Sequence, residues 1–103
     1  MPHKTRKFLR SPIELKAQFL VEGEKREWEW CIITNVSLEG MCILFQTCKT
    51  IKVGSTIYLK IFVPLESEPV NAKGILKWIK EEGDNFIGGI ELRIIGRDSI
   101  DIV

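Results

Sequence analysis

Two short polar clusters hold the residues whose types and spacing could do chemistry. Arg6 and Arg10 stand four apart in Arg6-Lys7-Phe8-Leu9-Arg10, inside an N-terminus with Lys4 and no acid over residues 1–10. Guanidinium is planar, always charged, and carries paired donors that match a phosphate or the O6/N7 edge of guanine. It also stacks on a purine face. Two such groups on a short arm could wrap a compact nucleotide with two phosphates, and Lys7 would add charge without the fork. A solubilising basic tail is the plainer reading. The second cluster is Asn35-Val36-Ser37-Leu38-Glu39-Gly40, between two strand-like runs. Asn and Ser there suit an ordinary turn, with Gly40 expected to supply a positive φ. The same geometry could present successive N–H groups to a ligand. Asn35 could then accept from guanine N1 and N2, and Ser37 could reach a base edge or a phosphate. Taken together, the clusters suggest a pocket for a bis-anionic ligand with guanine edges.

The elements that must position these groups are strands. The dominant period is two. Runs of that kind cover residues 15–21, 27–34, 41–45, 56–63, 70–79 and 86–94. They are separated by turn signals at Gly23-Glu24-Lys25, Asn35–Gly40, Val53-Gly54-Ser55 and Gly83-Asp84-Asn85, and by a loop from Leu65 to Pro69 after Pro64 ends the fourth run. Six short strands favour a sandwich or a small barrel, and closure hides the edges, so an all-β six-stranded antiparallel barrel is expected. Gly74 reads as a bulge or bend, and Gly88-Gly89 would help the sheet curl. Residues 1–11 read as a flexible arm, 12–95 as the barrel and 96–103 as a short tail with room for a helical turn at most.

The chain has 103 residues, 45% hydrophobic and 28% charged, with a net charge of +1. One domain with a real core fits this length, and nothing in the charge calls for a long polyanion as partner. Cys31, Cys42 and Cys48 are odd in number and lack a C-x-x-C spacing, which argues against a disulfide framework or a zinc site. Cys31 and Cys42 read as small core residues, Cys48 as a loop or strand-end thiol. The N-terminus lacks the apolar core of a leader and no run approaches a membrane span, so a cytoplasmic setting is expected. His3 is the single histidine, no nucleophile–base pair is apparent, and no enzyme activity or metal is expected.

The order Arg6-x-x-x-Arg10 then Asn35-x-Ser37-x-x-Gly40 resembles the PilZ domain family of bacterial cyclic di-GMP receptors. Later segments resemble it too: Gly40-Met41-Cys42-Ile43, the run from Val53 to Pro64, Ala72-Lys73-Gly74-Ile75-Leu76-Lys77-Trp78, and Phe86-Ile87-Gly88-Gly89-Ile90-Glu91-Leu92. The resemblance covers roughly residues 5–95 and implies a six-stranded barrel with the arginine arm across its outside. Carried over by position, Arg6 and Arg10 would bind phosphates and guanines, and Asn35, Ser37 and Gly40 would read one guanine. Lys7 would assist. Trp78 matches a tryptophan that in some members lies against the ligand, or it is an aromatic on the barrel wall. Trp28 and Trp30 receive no family role and read as core or sheet-surface aromatics.

Two departures bear on the ligand. Asn35 stands where Asp is commoner, which removes a charge-assisted acceptor. Thr5 stands where a basic residue tends to accompany an intercalated ligand dimer, which leans towards one ligand. The resemblance implies a stand-alone receptor that needs no cofactor besides its ligand, whose arm folds onto the barrel on binding and which passes the signal to a partner protein, without nucleic acid or membrane insertion. Two alternatives are a PilZ-like adaptor that binds no nucleotide, as in pilus assembly, and a small barrel binding single-stranded nucleic acid through Trp28, Trp30 and lysines.

Overall fold

The computed structural model describes residues 11–23, 27–37, 39–46 and 51–96. Its strands are β1 (Ser11–Val21), β2 (Glu29–Val36), β3 (Gly40–Phe45), β4 (Thr56–Phe62), β5 (Val70–Glu82) and β6 (Asn85–Gly96). All neighbours are antiparallel, and they close in the order β1-β2-β3-β6-β5-β4, with β4 returning to β1. The expected six-stranded barrel is therefore the fold, and closure leaves no strand with an unpaired edge along the wall. Among the described residues there is no helix.

Alternation decides what is inside. Ala17 and Phe19 of β1, Cys31 and Ile33 of β2, Met41, Ile43 and Phe45 of β3, and Ile57, Leu59 and Ile61 of β4 point inward and are buried. Ala72 and Leu76 of β5 and Ile90 of β6 complete the core. Phe19 meets Phe45 edge to face at 5.1 Å, and Phe86 stacks on Phe45 at 5.9 Å, arrangements that suit the ring quadrupoles. Cys31 is a core residue as expected, and burial pushes its thiol up to about 12.

Four irregularities in register shape the wall, the first on β1, where Pro12 faces Asn35 but Leu15 faces Ile33, so β1 carries one extra residue there relative to β2. On β2, Ile33 faces Ile43 but Asn35 faces Cys42, so Thr34 is an extra residue relative to β3. On β5, Leu76 faces Ile90 but Trp78 faces Gly89, which makes Lys77 the extra residue. On β6, Arg93 is extra between the Lys73–Ile94 and Gly74–Leu92 pairs, so the bend expected at Gly74 is a bulge on the strand opposite it. A bulge flips the side-chain alternation beyond it.

Candidate functional site

Alternation continued from Cys31 and Ile33 would send Asn35 and Ser37 into the barrel. The extra residue at Thr34 reverses this. Beyond it Val36 packs on the core, while Asn35 and Ser37 line a hollow on the outer wall. A buried amide and hydroxyl would be costly in an apolar core, and outside they are available to a ligand. At the bulge the Thr34 hydroxyl oxygen is buried with no hydrogen-bond partner among the described residues.

The hollow has a volume of ≈ 230 Å³ and is walled by Asn35, Val36, Ser37, Glu39 and Gly40 on one side and by Lys77, Trp78, Gly89, Ile90 and Glu91 on the other, with Met41 and Cys42 between. Pockets for drug-sized ligands run to roughly 300–1,000 Å³, so this space suits one flat ring rather than a whole dinucleotide. Its floor is a row of cross-strand pairs on the outer face. Trp78 pairs with Gly89, Gly89 with Cys42, Cys42 with Asn35, and Asn35 with Pro12. Cys42, expected in the core, is buried but stands in this outer row.

Trp78 is 41% exposed and lies directly over Gly89, where an added Cβ would collide with the indole Nε1. The structure thus places Trp78 at the same hollow as Asn35, Ser37 and Gly40. The Asn35 side chain makes no hydrogen bond to another described residue. Ser37 is built into the turn. Its N–H donates to the Gly40 carbonyl at 2.8 Å. Its Oγ donates to the same carbonyl and accepts from the Glu39 N–H, both at a long 3.4 Å, close to the limit for a useful bond. The turn is tied to β6 by the Leu92 N–H donating to the Glu39 carbonyl at 3.1 Å.

Gly40 departs from expectation. Its φ is not positive; the glycines in that region are Gly23, Gly54 and Gly83. Gly40 opens β3, paired with Glu91, and a Cβ there would strike the Ile90 carbonyl oxygen. Glycine is needed because two backbones approach closely, not because the chain turns left-handed. Asn35 and Val36 likewise belong to strand β2 rather than to the turn.

Sequence reasoning missed the charged rim. Glu91 accepts from Arg93 at 3.1 Å and lies 3.8 Å from Lys77. Lys77 reaches the hollow only because it is the bulged residue of β5, and no local signal in the sequence marks that bulge. Arg6, Lys7 and Arg10 lie outside the described residues. The strand they lead into is described: Ser11 pairs with Val36 and Pro12 with Asn35, so the chain enters the barrel against the site. Trp28 and Trp30 are wall aromatics, with the Lys60 ammonium 4.4 Å from the centre of the Trp28 ring.

No curated protein matches this chain. Among solved structures, it is similar to the Bacillus subtilis inhibitor of motility (MotI/DgrA), with a TM-score of 0.70 and 16% sequence identity. The alignment covers 91% of this chain and 45% of that one, so the chain spans under half the length of that neighbour. At this identity the likeness is one of fold. The model of the PilZ domain matches residues 4–102. That match takes in the whole barrel and both polar clusters, and the chain belongs to the PilZ domain family.

Proposed function

We propose that this domain binds cyclic di-GMP without chemical turnover and relays its presence to a partner protein. One guanine enters the outer hollow, against the Trp78 indole and within reach of the Asn35 amide and Ser37 hydroxyl. Arg6 and Arg10 hold the phosphates and the remaining guanine edges, with Lys7 adding charge. Binding draws residues 4–10 onto the outer wall, and the surface so made is what the partner reads.

One observation carries this reading. Asn35, Ser37, Gly40 and Trp78 line one hollow, and β1 begins paired to the same stretch of β2. Arg10 is joined directly to Ser11, and a peptide unit spans only about 3.8 Å, so an arginine side chain from this position has reach to the site. The size of the hollow favours a single base there, in keeping with one ligand per domain. The Asn35 amide supplies a neutral acceptor where a carboxylate would give a charge-assisted bond, so affinity is lower by about 1 kcal/mol than with Asp.

Calorimetric titration with cyclic di-GMP, with GMP and a single-stranded oligonucleotide as controls, tests the reading. Saturable binding of cyclic di-GMP near one per domain, with weak or no binding of GMP, is the expected result. Absence of cyclic di-GMP binding would point to the adaptor alternative, and preference for the oligonucleotide to the nucleic-acid alternative.

A further inference from the structure

A second feature lies on the same outer wall, one outward position beyond the hollow. Ile87, Leu44 and Ile32 sit side by side on β6, β3 and β2. Phe62 of β4 joins this row across Lys16 of β1. Trp30, the next outward residue on β2, lays its ring 5.7 Å from that of Phe62. Trp30 is 60% exposed, Ile32 38% and Phe62 37%. An apolar hollow of ≈ 480 Å³ opens among Trp30, Ile32 and Leu44. Concave apolar ground beside exposed aromatics is where interface anchors seat.

The charges on this face are mostly of one sign. The row Phe62–Lys16–Ile32–Leu44–Ile87 ends on β5 at Lys80, and the next row is Trp30–Gln18–Lys60. Lys16, Lys60 and Lys80 outnumber the acid here, Glu82, which pairs with the Asn85 that lines the hollow. A second copy of this chain presenting the same face would set lysine against lysine, which disfavours a two-fold dimer. Nucleic acid is a poor fit as well. Trp30 is tilted 39° against Phe62, the Trp28 ring is occupied by Lys60, and the remaining aliphatic side chains offer bases nothing to stack on.

We infer that this face docks a partner protein through an apolar segment flanked by carboxylates. The apolar side chains fill the hollow beside Trp30, and the carboxylates meet Lys16, Lys60 and Lys80. Leu44 and Ile87 stand two residues from Cys42 and Gly89 on the same strands, about 7 Å along the wall. A segment seated here therefore borders the proposed ligand hollow. The inference rests on the wall itself and holds whether or not the domain binds a nucleotide.

The test is an amide-resolved NMR titration of the full chain with a synthetic amphipathic peptide of Leu, Trp and Glu, and with a twin in which Lys replaces every Glu. The Glu peptide should shift Trp30, Ile32, Leu44 and Phe62, and should bind about tenfold tighter than its twin. Trp30→Ser and Ile32→Ser, both at exposed positions, should weaken it by about tenfold or more. The double variant Lys16→Glu with Lys60→Glu should reverse the preference between the peptides. Equal binding of the twins, shifts confined to other surfaces, tighter binding of oligouridylate at this face, or self-association abolished by Trp30→Ser would each overturn the inference.

Discussion

The indole of Trp78 lies on the backbone of Gly89, its cross-strand partner, in the space a Cβ would occupy. The contact aims an exposed aromatic across the outer row towards Cys42 and Asn35 instead of letting it stand away from the wall. Gly89→Ala should push the ring off this seat. The ring is partly exposed and can swing, so stability should fall by only about 1 kcal/mol, while cyclic di-GMP affinity drops about tenfold. Gly40→Ala meets the Ile90 carbonyl oxygen, which cannot swing away, and should cost about 1–3 kcal/mol of stability. Denaturant midpoints paired with calorimetry separate the two cases. A Gly40 variant as stable as the parent would contradict the close approach of β3 to β6.

Asn35→Asp should tighten cyclic di-GMP binding by about 1 kcal/mol, roughly fivefold. The charge gained is offered to the guanine N–H donors, whose bonds to a carboxylate are stronger than to an amide. Calorimetry at one salt concentration reads the change. Unaltered affinity would mean that position 35 does not contact the base.

Arg6→Ala and Arg10→Ala each remove charged hydrogen bonds worth roughly 1.5–3 kcal/mol, a loss of about 10- to 100-fold in affinity. Stability of the barrel should be unchanged if the two arginines act on the ligand alone. Hydrogen exchange adds an independent readout, with amides of residues 4–11 gaining protection when ligand is added. Equal protection with and without ligand would remove the proposed movement onto the wall.

Glu91 lines the hollow and is held between Lys77 and Arg93. Its charge opposes an anionic ligand, and both ion pairs are exposed enough to contribute little to folding. Glu91→Gln should leave the unfolding midpoint nearly unchanged and strengthen ligand binding a few-fold, most visibly at low salt. Weaker binding in this variant would show that the carboxylate contacts the ligand directly.

Cys31 is set against β1 and β3 in the core, and burial raises its thiol from 9.0 to about 12. Above pH 9 the unfolded chain releases this proton while the folded chain keeps it. The unfolded state then binds fewer protons, so stability falls as pH rises from about 9 towards 12, by at most about 1.4 kcal/mol per pH unit. Below pH 9 this residue contributes no pH dependence. Urea unfolding across pH 7–11 should show the alkaline loss, and Cys31→Ala should flatten it. An identical alkaline slope in the variant would assign the loss to other groups.

Much of the wall is legible in the amino-acid order alone. Period-two runs locate all six strands, because half-buried β-branched and aromatic residues alternate with polar ones over short lengths. The turn at Gly83 and Asp84 is legible for the same local reason and closes β5 onto β6 between Glu82 and Asn85. The clusters around Arg6 and Asn35 show which groups could meet a nucleotide, since donor and acceptor chemistry belongs to the side chains themselves.

What the chain by itself determined is the strand content, the residue types at the site and membership of the PilZ domain family. What only the tertiary structure decided is which way those residues face and which of them meet. Asn35 and Ser37 look outward because Thr34 is extra against β3. Lys77 reaches the hollow because it is extra against β6, and Trp78 joins the turn because its partner is Gly89. Gly40 is required by the Ile90 backbone, fifty residues away in sequence, rather than by its own turn. The physical reason is common to all of these. Register is a relation between strands distant in sequence, and a one-residue slip moves a side chain from one face of a sheet to the other.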